Sequence, residues 1–169
     1  MNSKAISFGN KMAKAPSAKQ LWQFSLALYP KVKHTALQWQ DELGANINLL
    51  LLLCYLEHRQ CSLNPDALVL LANKLHTFSV QYTQPLRAIR RNNHCPLLNP
   101  AQQTSLKQLL LQTELVLEQL EQQVLVEQCP VPLAAATPML EQYLAYLAIE
   151  PAKQQQQLHN LRQAIAQLS

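Results

Sequence analysis

The chain has 169 residues, 34 of them Leu and 22 Gln, with 49% hydrophobic, 6% aromatic and 14% charged residues. Only two residues are Gly, which excludes glycine-rich phosphate loops and dinucleotide fingerprints, and the scarcity of Gly and β-branched residues argues against barrels and sandwiches. The net charge of +4 is uneven: residues 1–99 hold 11 Lys/Arg against 4 Asp/Glu, and residues 100–169 hold 3 against 6, so a basic half precedes an acidic one.

Leu, Ala, Gln, Glu and Lys all favour helix, so the expected fold is an all-α helical bundle of six or seven helices. Residues 1–16 carry lysines without acids and are expected to form a disordered basic tail. Met1 to Lys19 lacks the apolar core of a secretory signal. The main bundle is expected over 17–127, with a C-terminal helical hairpin over 128–169 packed on it.

Ser17 followed by Gln20 forms a capping box and opens a first helix over 18–29. Pro30 is expected to start a second helix, which Gly44 stops. Asn46 caps a third helix over about 46–59, NINLLLLLCYLEHR, which is apolar nearly all round and therefore expected at the centre. Asn64-Pro65 opens a fourth, in which Leu68, Leu71, Leu75, Phe78 and Tyr82 mark one face. Pro85 is expected to kink or end it near residue 83, leaving a continuation to about 92. Asn99-Pro100 opens a fifth helix to about 127, with Leu106, Leu110, Thr113, Leu117, Leu120 and Val124 as its apolar stripe. Thr137-Pro138 opens a sixth to about 149, and a seventh covers 152–168. Residues 92–99 and 129–136 are expected loops.

The longest apolar run, Leu49 to Leu56, is too short to span a bilayer. Cys54, Cys61, Cys95 and Cys129 form no CxxC pair and read as reduced thiols of a cytoplasmic protein. His58, Cys61, His94 and Cys95 supply zinc-type ligands on paper, but adjacent His94 and Cys95 suit one ion poorly, so no metal and no cofactor is expected. Trp22, Leu26 and Tyr29 read as a core stripe.

Two polar clusters stand out. Arg87, Arg90 and Arg91 share one helix face at i, i+3 and i+4, while Leu86 and Ile89 are expected to point to the core. Three guanidiniums suit a carboxylate or phosphate partner, and one of them has Asp41 as an available ion-pair partner. The other cluster is the corner of Gln40, Asp41, Asn46 and Asn48, where Asn48 opens an apolar helix and needs partners if buried.

These segments resemble a family of small uncharacterised bacterial proteins catalogued as a domain of unknown function. The resemblance rests on Trp22-x-Phe24, on Gln40-Asp41-x-x-Gly44-x-x-Asn48-Leu49-Leu50-Leu51, and on Pro85-Leu86-Arg87-x-x-Arg90-Arg91. It covers about residues 18–125 and implies a helical cytosolic protein without implying an activity. Position 46 holds Asn where the family usually has an acid.

The leading expectation is a non-enzymatic adaptor or regulatory protein. It would bind a protein partner through the Arg87, Arg90 and Arg91 face and the Gln40, Asp41, Asn46 and Asn48 corner, with Tyr29 and Trp39 as hot spots if exposed. The alternative is a small-molecule-binding protein or enzyme with an inter-helix pocket lined by His34, Gln38, Asp41 and Arg87. A third reading, a nucleic-acid-associated factor, rests on the basic half alone.

Overall fold

A computed structural model describes residues 13–168. Its α-helices are α1 (Ala18–Leu43), α2 (Ile47–His58), α3 (Pro65–Phe78), α4 (Gln84–Arg91), α5 (Pro100–Gln128), α6 (Met139–Tyr146) and α7 (Gln155–Ala166). There is no sheet among the described residues, so the fold is an all-α bundle. No helix among them is long and apolar enough to cross a membrane.

The apolar sequence of α2 dictates the architecture. A helix with no polar face must be covered on all sides. Leu49 to Cys54 and Leu56 are all buried, and α1, α5, α6 and α7 pack around them. Leu28, Val32 and Trp39 of α1, Leu68 and Leu71 of α3, Leu140 of α6 and Leu161 of α7 join the same core.

The caps explain several boundaries. Ser17 and Gln20 form the capping box of α1, Asn46 accepts from Leu49 N, and Asn64 and Asn99 cap α3 and α5. Gly44 ends α1 at φ +73°, a left-handed conformation that a side chain would strain. Thr137 does not cap α6. Its neighbour Pro138 stands at that cap, and the Thr137 hydroxyl instead accepts from Gln142 Nε2.

Three expectations need correction, two about breaks and one about a buried face. Pro30 does not divide two helices, because α1 runs through it. A buried residue on either side, Leu28 and Val32, anchors both halves to the core, which offsets a lost hydrogen bond and ring clash that together cost about 3 kcal/mol. Near Pro85, the chain forms a π-helical turn over Ser79–Thr83 that joins α3 to α4. A π turn carries one extra residue, so the inward face moves from Leu75 to Ser79 and Thr83. Tyr82 is consequently exposed, and so is Ile89 of α4. On α5, none of the six residues of the expected apolar stripe is buried, and Leu120 is exposed. Glu114, Glu121, Gln122 and Leu125 face inward instead.

Residues 1–12 of the expected tail lie outside the described residues. Ala13, within that tail, donates its N–H to Pro132 O at 2.8 Å, and Pro16 is buried. The α5–α6 loop is also tied to the loop after α2 by reciprocal Ser62–Leu133 backbone bonds of 3.0 and 2.9 Å.

A second tie closes the far end of the bundle. Arg162 of α7 forks onto Glu57 of α2 through Nε and Nη2 at 3.0 and 2.9 Å. It reaches Glu141 of α6 through Nη1 and Nη2 at 2.7 and 2.5 Å. The Arg162 hydrogen bonds hold the Glu141 carboxyl below its usual range.

Candidate functional site

Four polar side chains of α5, Glu114, Glu118, Glu121 and Gln122, recur at helical spacing along the face turned to the bundle. Glu121 is the best held. Asn46 Nδ2 donates to its Oε1 at 2.9 Å, Asn48 Nδ2 to its Oε2 at 2.5 Å, and Thr83 Oγ1 to its Oε1 at 3.3 Å. Burial raises the Glu121 pKa, and the three donors oppose that rise.

Asn46 serves three partners at once. Its Oδ1 caps α2, its Nδ2 serves Glu121, and its backbone N–H donates to the Tyr143 hydroxyl at 2.8 Å. Asn48 carries the network onward, since its Oδ1 accepts from Gln122 Nε2 at 3.1 Å. The same Nε2 reaches Ser25 Oγ at 2.9 Å. Burial explains why Asn48 needs these partners in a helix of leucines.

The π turn decides what the arginines do. With the inward face moved to Thr83, Arg87 and Arg90 follow one and two turns later and face α5. Both donate to the Glu114 carboxylate, Arg87 Nε at 3.3 Å and Arg90 through Nε and Nη2. Arg91 alone reaches the corner, with Nη2 3.3 Å from Asp41 Oδ1 in an exposed pair. The Gln40 amide, and then Arg91, hold Asp41 below the usual carboxylate range.

Glu118 differs from its neighbours. It lies between Glu114 and Glu121 and has no hydrogen bond or ion pair among the described residues. Desolvation and the Glu114 charge push its carboxyl up to about 7, against the pull of Arg87. Burial, with Glu118 as the largest charge contribution, also raises the Tyr29 hydroxyl.

Glu118 lines a cavity of about 740 Å³ between α1, α2, α4, α5 and α6, with α3 at one side. Trp22, Leu26 and Tyr29 form the α1 wall, Tyr143 and Tyr146 the α6 wall, and Asn48 and Gln122 the polar floor. Arg87, Ala88 and Arg91 bring α4 to it, His76 comes from α3, and Asp41 also borders it. The volume falls within the range of small-molecule sites.

This arrangement revises several sequence expectations. The Trp22, Leu26 and Tyr29 stripe lines the cavity; of the three only Tyr29 also packs against the core, and Leu26 is exposed. Trp39 is fully buried, so it is no surface hot spot. Its Nε1 donates to Gln154 Oε1 at 2.8 Å. Of the four expected pocket residues, Asp41 and Arg87 border the cavity. His34 is exposed elsewhere, and Gln38 bonds Glu42 at 3.2 Å. Gln40, Asn46 and Asn48 all line it. Reading apolar periodicity on α5 missed Glu114, Glu118, Glu121 and Gln122, and also Tyr143. The i, i+4, i+7 spacing of three acids was the available signal.

The cysteines show no such convergence. Cys54 is buried, which pushes its thiol well up, and burial takes Cys129 up to about 11. His58 packs against the Phe24 ring, with centroids 5.5 Å apart.

A family model described as "Protein of unknown function (DUF2390)" matches residues 20–125, and the chain belongs to that family. No curated protein and no solved structure matches the chain. The matched stretch holds α2, the π turn, the arginines and the acidic face of α5, whereas Tyr143 and Tyr146 lie beyond it.

Proposed function

We propose that this DUF2390 protein binds a small molecule in the cavity between α1, α2, α4, α5 and α6. The observation that carries the reading is one hydrogen-bonded polar floor, Glu121, Asn46, Asn48 and Gln122, beneath aromatic walls. Buried polar groups cost stability unless partnered, and a bundle needs no such floor to fold. Aromatic walls with a few fixed polar groups are the usual make-up of a ligand pocket. A carboxyl near neutrality in that cleft also suits acid–base chemistry, so an enzymatic role stays within this reading. Four free thiols fit a reducing compartment such as the cytoplasm.

The adaptor reading has one supporting observation, though not at the arginines, which are held by Glu114 and Asp41. Leu109, Val116 and Leu120 stand exposed on α5 at i, i+7 and i+11 and offer a partner an apolar strip. The same ion pairs leave the nucleic-acid reading with little free positive charge on α4.

Ligand-observed NMR of a metabolite-sized library tests the choice. Hits are expected with the native protein, lost in Ala88→Trp, which fills the cavity edge from an exposed position, and kept in Leu109→Asn. Hits indifferent to Ala88→Trp overturn the pocket.

A further inference from the structure

The floor of the cavity fixes the orientation of its amides, and that orientation has a chemical consequence. Asn48 turns its Nδ2 toward Glu121 Oε2, to which it donates. Asn48 then presents only Oδ1 to Gln122, which must answer with Nε2. Gln122 Oε1 is left as an acceptor without a partner among the described residues, on a residue only 1% exposed. An unmet acceptor of this kind costs about 1–3 kcal/mol.

One helical turn earlier on α5 stands Glu118, a second acceptor without a partner, lining the same cavity. The charges around it are unbalanced in the same sense. Glu114, Glu118 and Glu121 bring three carboxylates to the α4–α5 interface, and Arg87 and Arg90 bring two guanidiniums, both engaged with Glu114. The Asp41–Arg91 pair at the edge is neutral as a unit.

We propose, resting on the small-molecule reading above, that the ligand is an organic cation. Its protonated amine sits on the Glu118 carboxylate, one helical turn from Gln122, and its apolar body lies against Trp22, Tyr29 and Tyr146. An ammonium group is a donor with no acceptor, so it answers the unmet Glu118 carboxylate and supplies the missing charge. The aromatic faces attract the same cation. A proton takes its place on Glu118 in the free protein, consistent with a carboxyl pushed up to about 7. Binding therefore releases that proton below neutrality.

The other titratable and charged groups near Glu118 are Glu114 and Glu121 on α5, Arg87, Arg90 and Arg91 on α4, and His76 on α3. Tyr29 and Asp41 of α1 and Tyr143 and Tyr146 of α6 complete the set.

The test is isothermal titration calorimetry of the full chain with three probes of similar size: 2-phenylethylamine, 2-phenylethanol and 3-phenylpropanoate. At pH 8 the amine is expected to bind at least about tenfold more tightly than the alcohol, the difference of one charge-assisted contact. Its affinity falls about tenfold per pH unit below the Glu118 pKa of about 7, with one proton released per amine bound. Glu118→Gln abolishes both the preference and the proton release, and proton release that persists in this variant overturns the proposal. The pH profile of the native chain stands even if a variant folds poorly. Equal binding of amine and alcohol, or tighter binding of the carboxylate, overturns the cation and leaves the pocket standing, provided Ala88→Trp abolishes that binding. Failure of all three probes to bind overturns the cation and the pocket together.

Discussion

Two partly buried ionic clusters stand out among the described residues, and they are finished to different degrees. At the α2–α6–α7 corner, Arg162 and the Leu140 N–H supply donors to all four oxygens of Glu57 and Glu141. At the α4–α5 interface, Glu114 and Glu121 are partnered, yet Glu118 and Gln122 Oε1 are not. The first cluster completes a helix junction. The second leaves two acceptors at a cavity wall. Complete pairing suits a structural device, and the incomplete pairing lies beside the polar floor where we propose that the ligand binds.

The sharpest way to break this contrast is to add charge to the second cluster. Asn48→Asp sets a second carboxylate against buried Glu121 and removes its shortest donor. Urea denaturation at pH 8 should show a loss of about 3–5 kcal/mol, the size expected for an uncompensated buried charge. A loss below about 1 kcal/mol would mean that the floor is wetter and looser than its geometry indicates.

Arg162→Met addresses the first cluster. Two carboxylates lose their shared partner, but the Arg162 side chain is 39% exposed, which screens the effect. A loss of about 2 kcal/mol is expected at pH 7, with ligand hits unchanged. Altered binding in this variant would deny the division between structural and functional ends.

Glu118→Gln should act in the opposite direction. The carboxyl has a raised folded-state pKa, so the folded protein holds the proton over a range where the unfolded chain has released it. Stability from this group is present below its usual value of 4.5 and is lost as pH rises through about 7. The variant should therefore match the native protein near pH 4 and exceed it by about 1–2 kcal/mol at pH 8, after allowance for solvent screening. Chemical denaturation at the two pH values decides the sign, and a native protein that gains stability from pH 5 to 8 relative to the variant contradicts it.

The smallest effect belongs to Arg91→Gln. Its pair with Asp41 is solvent-exposed at both ends, so thermal denaturation should not distinguish the variant from the native chain. A clear loss would make the rim of the cavity a structural element.

The sequence carried the local structure well where one residue acts on its own backbone. The caps at Ser17, Asn46, Asn64 and Asn99 and the stop at Gly44 are local hydrogen-bonding and steric events, legible from neighbouring letters. The apolar run of α2 likewise required a central position, because no face of it tolerates water. Packing decided the rest. Whether Pro30 breaks a helix depends on what anchors its two sides, and the π turn before Pro85 rotates every later residue of that segment by one position. That rotation turns Arg87 and Arg90 toward Glu114 and away from solvent. The long α5 misled most, since its stripe of leucines was regular yet the helix buries acids. A carboxylate can be buried only where distant donors meet it, and Asn46, Asn48 and Thr83 lie 75, 73 and 38 residues away in the chain. Helix existence and the central helix were thus determined by the sequence alone. Which residues meet at the cavity was decided by tertiary structure, because pairing across such separations leaves no local trace.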